Sequence, residues 1–83
     1  MFINKSKTGA NNLIGARLAE MRKATGLSQK KFADRLELLG LDVDKNAIQR
    51  IECGKRFVTD IELVYICKAL GTEPNAILQW TDK

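Results

Sequence analysis

The sequence predicts a small all-α domain built from five helices, and three observations favour this fold class. From Leu13 onward, apolar residues recur at helical spacing, as in Ile14, Leu18 and Met21. Capping residues and glycines divide the chain into short segments, and no segment alternates polar and apolar residues as a strand would. The length of 83 residues, with 45% hydrophobic and 29% charged residues, suits one folded domain.

Local signals predict the boundaries of the first two helices. Residues 1–11 contain few apolar side chains and are expected to form a flexible N-terminal arm, so the domain spans residues 12–83. Helix one should end near Gly26, because glycine readily takes the left-handed conformation that follows many helices. The hydroxyl of Ser28 can accept from an exposed backbone N–H and so cap helix two, which Gly40 should close. The inner side of helix two is expected to hold Phe32, Ala33, Leu36 and Leu39.

Helix three is expected to run through Cys53, and two residues before it are candidate N-caps. Asp42 and Asp44 both lie in the connection that precedes it, and the carboxylate of either could accept from a backbone N–H of the first turn. Residues 54–58 break the helical pattern. Thr59 and Glu62 then form the T-x-x-E of a capping box, which predicts the start of helix four.

The last helix is predicted to be short. Gly71 should end helix four, and Thr72 is the expected cap of helix five, which runs through Leu78. Pro74 is tolerated there because the first turn of a helix does not use its backbone N–H. The chain therefore divides into five helical segments.

Composition argues against several classes of protein. No apolar run approaches the roughly 20 residues that cross a bilayer, and residues 1–12 lack the apolar core of a secretory signal, so we expect a cytoplasmic protein without membrane contact. The chain has no histidine and only two cysteines, Cys53 and Cys67, so neither a metal nor a cofactor is expected. No glycine-rich phosphate loop and no constellation for acid–base or nucleophilic chemistry is present, so we expect neither an enzyme nor a small-molecule ligand.

Basic residues are concentrated near the start of the chain. Residues 1–31 hold seven of the 14 Lys and Arg residues but only one of the ten Asp and Glu residues, within a net charge of +4. Such a basic region favours a polyanionic partner such as nucleic acid. Charge alone would be explained equally well by a solubilising surface.

Helix three carries the residues that are most informative about function. Ala47, Ile48 and Ile51 form one stripe of the helical wheel, and Lys45, Asn46 and Gln49 form the opposite stripe, with Arg50 beside it. Asn and Gln can bond the adenine edge through two hydrogen bonds, and Lys can bond O6 and N7 of guanine. The polar stripe contains no acidic residue, although a solvated helix face usually mixes both charges. Helix two, a glycine-containing turn and helix three together follow the helix-turn-helix plan.

Three sequence runs resemble the Cro/lambda-repressor-like (XRE) family of helix-turn-helix proteins. They are Leu27-Ser28-Gln29 at the start of helix two, Ile48…Ile51-Glu52…Gly54-Lys55, and Leu63…Ile66…Ala69-Leu70-Gly71. Each run is weakly specific alone, but their order is strongly so, and the resemblance covers roughly residues 13–79. It implies a DNA-binding transcriptional regulator, expected to be a repressor, that inserts helix three into the major groove of a palindromic double-stranded operator.

The resemblance also implies roles for individual residues. The expected base contacts are Lys45, Asn46, Gln49 and Arg50, and the expected phosphate contacts are Gln29, Lys30, Lys55 and Arg56. Family members pair an arginine of helix one with the glutamate that ends helix three, which here are Arg22 and Glu52. The helical wheel independently favours this ion pair, because each charge lies at the edge of a buried stripe.

The chain departs from the family pattern in the connection between helices two and three. "ELLGLDVD" is several residues longer than usual, which we interpret as an extra turn of helix two and a wider bend. Asp44 occupies a position where the family often has Ser or Thr near phosphate. Either its carboxylate therefore turns inward to cap helix three, or that phosphate contact is absent. These departures allow the register of base contacts to differ from the family pattern by about one residue.

A second apolar side of helix four suggests self-association. The core stripe is expected to be Leu63, Ile66, Cys67 and Leu70, whereas Ile61, Val64 and Tyr65, with Trp80 as an anchor, could form the interface of a homodimer. The competing interpretation is that the C-terminal residues cover this side within one chain.

The alternative function is a protein-interaction module of the same fold, such as an antitoxin or anti-repressor partner, with DNA binding secondary.

Overall fold

The computed structural model describes residues 10–78, and this part of the chain contains five α-helices and no strand. The helices are α1 (Gly15–Ala24), α2 (Gln29–Leu39), α3 (Lys45–Glu52), α4 (Asp60–Leu70) and α5 (Pro74–Leu78). The predicted all-α, five-helix fold class is confirmed. Within the described residues, no helix is both long and apolar enough to reach across a bilayer.

Three predicted N-caps are present at the starts of α2, α3 and α4. The side chain of Ser28 accepts from the backbone N–H of Lys31. At α4, the hydroxyl of Thr59 accepts from the N–H of Glu62, whose carboxylate accepts in return from the N–H of Thr59, which completes the capping box. Each cap satisfies a backbone donor that the helix itself leaves without a partner.

The connection between α2 and α3 turns at Gly40. This residue has a φ of 112°, in the left-handed region that favours glycine, and its N–H donates to the carbonyl of Glu37. The next N–H, of Leu41, reaches back to the carbonyl of Leu36 at 2.9 Å. The side chains of Leu41 and Val43 then pack against the core, so the long connection is anchored rather than looped out.

The start of α5 differs from the prediction by one residue. The N–H groups of Ala76 and Ile77 donate to the carbonyl of Glu73, so Glu73 rather than Thr72 occupies the N-cap position. Pro74 is the first helical residue, where its missing N–H costs nothing. The Thr72 prediction was wrong. Threonine is a common N-cap residue, but the first hydrogen bonds of α5 are accepted by Glu73, so the helix begins one residue later than predicted.

The core joins all five helices. Its buried apolar residues are Ile14, Leu18, Phe32, Ala33, Leu36, Ile48, Ile51, Ile66, Cys67, Ala69 and Ile77. The main packing contacts join α3 to both α1 and α2, and α2 to α4, so α3 is supported from behind by two helices. Leu39, predicted to face the core, is instead 42% exposed, because it lies at the last turn of α2, beyond the packed neighbours.

The segment before α1 lies against the end of α3. The backbone N–H of Asn11 donates to the carbonyl of Gly54 at 2.7 Å. Residues 1–9 lie outside the described part of the chain, so the arm expected over residues 1–11 remains a prediction for those nine. Asn11 itself, the last residue of the expected arm, is hydrogen-bonded to the domain.

Candidate nucleic-acid interface

α3 presents one buried face and one exposed face of sharply different chemistry. Ile48 and Ile51 are 0% and 1% exposed and anchor the helix on the core. The exposed residues of α3 are the four that were predicted to contact bases, namely Lys45, Asn46, Gln49 and Arg50. All four carry side-chain hydrogen-bond donors, and none of them is acidic. The structure therefore places the four predicted residues together on the solvent side of one helix.

The N-terminus of α3 is capped by Asp44. Its Oδ1 atom accepts from the N–H of Ala47 at 2.8 Å, which decides between the two roles considered for this residue. A carboxylate at a helix N-terminus is also favoured by the helix dipole. The acidic side chain is thus held at the start of α3 by a hydrogen bond to its own helix.

A buried network fixes α3 against α1. Arg22 donates to both carboxylate oxygens of Glu52, from Nε to Oε2 at 2.6 Å and from Nη2 to Oε1 at 3.1 Å. The two side chains are 9% and 8% exposed, so this ion pair is nearly shielded from water. The remaining Nη1 atom of Arg22 donates to the carbonyl of Leu27 in the turn between α1 and α2. The pair expected between Arg22 and Glu52 is therefore present in a bidentate geometry.

Gln29 extends this network to α2. Its Nε2 atom donates to Oε1 of Glu52 at 3.0 Å, although the sequence predicted a contact from Gln29 to DNA phosphate. The carboxylate of Glu52 thus receives hydrogen bonds from α1 and from the first residue of α2. Together these bonds connect α3 to α1 and α2, the two helices that support it.

The loop after α3 contains an exposed lysine, Lys55, and an arginine, Arg56, whose guanidinium is paired with an acidic residue. Lys55 is exposed, as its predicted phosphate-contacting role requires. Arg56 instead forms a bidentate pair with Glu62 of α4, with Nη1–Oε1 and Nη2–Oε2 distances of 3.1 and 3.0 Å. These hydrogen bonds lower the pKa of the Glu62 carboxyl below its usual value, even though partial burial opposes the shift. Arg56 was expected to hold phosphate, but its guanidinium is used to tie the loop to α4.

Lys30 lies in the first turn of α2, on the surface. Its ammonium is 3.3 Å from the carboxylate of Asp34, and both side chains are well exposed. A pair of this kind is weak in water and does not prevent the lysine from meeting a phosphate. Lys30 also lines a groove of about 430 Å³ between α2 and the α2–α3 connection, along with Asp34, Glu37, Asp42 and Lys45.

Within the described residues, no cluster of acidic, cysteine or histidine side chains is arranged to hold a metal ion.

The surface of α4 carries exposed apolar residues. Ile61 and Val64, both predicted for a dimer interface, are 64% and 46% exposed. Tyr65 is only partly exposed, and the ammonium of Lys68 lies 5.5 Å from the centroid of its ring. Trp80, the fourth predicted interface residue, lies outside the described residues.

Two features around the start of α1 and the loop after α3 were not predicted from the sequence. Leu13 and Phe57 are 53% and 54% exposed, and they line a mainly apolar groove of about 410 Å³ together with Leu63 and Leu78. Asn11 and Asn12 make hydrogen bonds across to the end of α3 and its following loop. A pair of adjacent asparagines before a helix is a local capping signal, but nothing in the sequence indicates contacts to residues about 40 positions away.

Comparison with known proteins defines the class of this chain. Residues 13–80 match the helix-turn-helix domain family, and because this is most of the chain, the protein belongs to that family. It is also similar to the crystal structure of the restriction-modification controller protein C.AhdI from Aeromonas hydrophila, with a TM-score of 0.68 and 31% sequence identity over 77% of this chain and 86% of that one. No curated protein matches the chain. The predicted helix-turn-helix resemblance is confirmed, and family and fold support DNA-binding transcriptional regulation as the class of function.

Proposed function

We propose that this chain is a cytoplasmic transcriptional repressor that binds a palindromic double-stranded DNA operator by inserting α3 into the major groove. The observation that carries the proposal is the two-sided character of α3. Its two isoleucines, Ile48 and Ile51, are buried in the core, and its solvent side presents Lys45, Asn46, Gln49 and Arg50. A major groove admits one α-helix, and these side chains match the donor and acceptor patterns of base edges.

The proposed contacts follow from what each side chain is free to do. The four exposed residues of α3 contact bases, while Lys30 and Lys55 contact phosphates on either side. Gln29 contributes its second amide hydrogen and the backbone of the α2 N-terminus, where anions are favoured. We assign the phosphate contact of the loop after α3 to Lys55 rather than Arg56, because Arg56 would have to give up Glu62 to reach the DNA.

The rival proposal, a protein-interaction module, receives less support from α3. A docking helix usually presents aromatic or aliphatic anchors to its partner. The exposed residues of α3 include none, since its isoleucines are buried in the core. The exposed apolar residues lie on α4 instead, and there we propose a second copy of this chain as the partner. A two-fold dimer would place two copies of α3 on the two halves of a palindrome.

Selection of bound sites from random duplexes with the purified protein tests the proposal and reveals whether the site is palindromic. Variant affinities for the selected and a random duplex then separate reading from anchoring. Gln49→Ala should lose discrimination at one base position by about 1–3 kcal/mol, whereas Lys55→Ala should weaken both duplexes alike and reduce the salt dependence by about one ion per protomer.

The matched control is Arg17→Met, which removes one partly exposed positive charge from the side of α1 that faces α5, where the Nε atom of Arg17 lies 3.5 Å from the carbonyl oxygen of Ala76. Its affinity for both duplexes should stay close to wild type. Equal losses on selected and random DNA from Gln49→Ala and Lys55→Ala would mean that α3 is not the element that reads the sequence. Failure to enrich any site would contradict sequence-specific binding altogether.

A further inference from the structure

Asn12, which lies three residues before the first residue of α1, joins three segments through its carboxamide. The Oδ1 atom of Asn12 accepts from the N–H of Gly15 at 2.7 Å, which satisfies the first turn of α1. Its Nδ2 atom donates to the carbonyl of Ile51 at 3.1 Å and to the carbonyl of Arg56 at 2.7 Å. One side chain therefore links the start of α1, the last turn of α3 and the loop that follows.

Asn11 adds two further hydrogen bonds to the same loop. Its backbone N–H donates to the carbonyl of Gly54, and its Nδ2 atom donates to the carbonyl of Lys55 at 2.9 Å. From the other side, the N–H of Lys55 donates to the carbonyl of Arg50 at 2.9 Å. The backbone of Lys55 is thus held on both its N–H and its carbonyl.

The segments meet too closely for larger residues. A Cβ atom at Gly15 would collide with the carbonyl oxygen of Ile51, and a Cβ atom at Gly54 would come within 2.9 Å of the Cβ atom of Ala10. Gly54 also has a φ of 76°, which disfavours any other residue. The approach of the segment before α1 to the end of α3 is therefore a packed contact, made by backbone as well as side chains.

We propose that Asn11 and Asn12, the asparagine clamp, are positioning residues for DNA binding. This proposal rests on the proposed function, in which Lys55 contacts phosphate. The clamp fixes the backbone from which the Lys55 side chain extends, so less conformational freedom is lost when its ammonium meets the DNA. It also fixes the end of α3 relative to that phosphate contact. The clamp therefore determines affinity without itself touching a base.

The decisive variant is Asn12→Ala, with Asn12→Ser as its partner. A serine hydroxyl can still accept from the N–H of Gly15, but it cannot reach the two carbonyls, so Asn12→Ser separates capping of α1 from clamping. Both variants should weaken binding to the selected and the random duplex by the same factor. Amide hydrogen exchange without DNA should become faster at residues 54–57 and stay unchanged in α2 and α4. Asn11→Ala, which removes the side-chain hydrogen bond to the carbonyl of Lys55, should have a smaller effect of the same kind.

A double-mutant cycle with Lys55→Ala shows whether the clamp acts through Lys55. We expect Asn12→Ala to have little further effect when Lys55 is already alanine, with a coupling factor of about 2 to 150 in affinity. A loss that is equally large in both backgrounds, or no loss at all, would overturn the clamp while leaving DNA binding intact. Wild-type protein that binds no duplex would overturn the proposed function as well.

Asn75→Ala is the matched control, because it makes the same change at an exposed position of α5. It should leave both DNA affinity and exchange at residues 54–57 unchanged. If Asn75→Ala weakened binding as much as Asn12→Ala, the effect would belong to general stability and the clamp would be refuted.

Discussion

At the scale of single residues, the fold depends on a charge that is nearly buried. The carboxylate of Glu52 is shielded from water, and it is stabilised there by the two hydrogen bonds from Arg22 and one from Gln29. A buried ion pair of this kind need not exceed the stability of an apolar replacement, but removal of one partner leaves an uncompensated charge in the interior. The contribution of the pair to the stability of the fold should therefore be seen mainly when only one of its two residues is replaced.

We predict that Arg22→Met lowers the free energy of unfolding by about 3–5 kcal/mol, as measured by urea denaturation. The reason is that Glu52 would stay buried with Gln29 as its remaining donor. Arg17→Met is the matched control, because the pair between Arg17 and Glu20 lies at the surface, where such pairs contribute at most about 1 kcal/mol. Equal stability of Arg22→Met and wild type would show that the network does not hold α3 in place.

The contacts of individual residues were harder to predict from the sequence than the positions of the helices. The pairing of Arg22 with Glu52 follows from a family resemblance and from the edges of two amphipathic stripes. The partners of Gln29 and Arg56 could not be predicted in this way. The sequence around each residue is typical of an exposed position, and each contacts its acidic partner only once the chain has folded. Sequence spacing indicates which side chains share a helix face, but it does not indicate which side chain of another helix lies opposite.

At the scale of helices and loops, boundaries were predictable because they depend on local chemistry. Ser28, Asp44 and Thr59 each accept a hydrogen bond from a donor three residues ahead, within their own helix. Such contacts depend on a few consecutive residues and survive any tertiary arrangement. The asparagine clamp is the opposite case, since Asn12 reaches Ile51 and Arg56, which are about 40 residues away.

The cap of α3 gives a prediction that separates stability from charge. Asp44→Ala should lower the free energy of unfolding by about 1 kcal/mol, because the N–H of Ala47 loses its acceptor. Asp44→Asn keeps an acceptor and should leave stability nearly unchanged. It should also bind DNA more tightly than wild type, since it removes a negative charge at the end of α3 that we propose to face DNA. Thermal unfolding and duplex titration measure the two effects, and weaker DNA binding by Asp44→Asn would contradict the proposed orientation.

The link between the loop and α4 gives a prediction about acid. Arg56 is the main cause of the lowered pKa of Glu62, whose ordinary value is 4.5. The stabilisation is complete above about pH 4.5 and is lost as the pH falls through the lower pKa of the folded state. Glu62→Gln should therefore be less stable than wild type at neutral pH, and the difference should shrink below pH 4.5. Denaturation curves across this range measure it, and a gap that is independent of pH would contradict the prediction.

At the scale of the whole molecule, the distribution of charge and of apolar surface defines two sides. The exposed lysines Lys30 and Lys55, together with the polar face of α3, suit a polyanion. The exposed apolar residues of α4, Ile61 and Val64, lie on a different helix, which leaves them available to a protein surface. One side for DNA and one for a second copy is the arrangement that a dimeric repressor on a palindrome requires.

The last prediction tests this division. Val64→Glu places a charge on the proposed two-fold interface, where the two symmetry-related glutamates would repel each other, so sedimentation should show a monomer where wild type shows a dimer. Leu38→Glu is the matched control, because Leu38 is 89% exposed on α2 and its replacement should leave the dimer intact. Stability of both variants should stay close to wild type, since neither side chain belongs to the core. A wild-type monomer at high concentration, with and without DNA, would refute the dimer and leave each α3 to find its half-site alone.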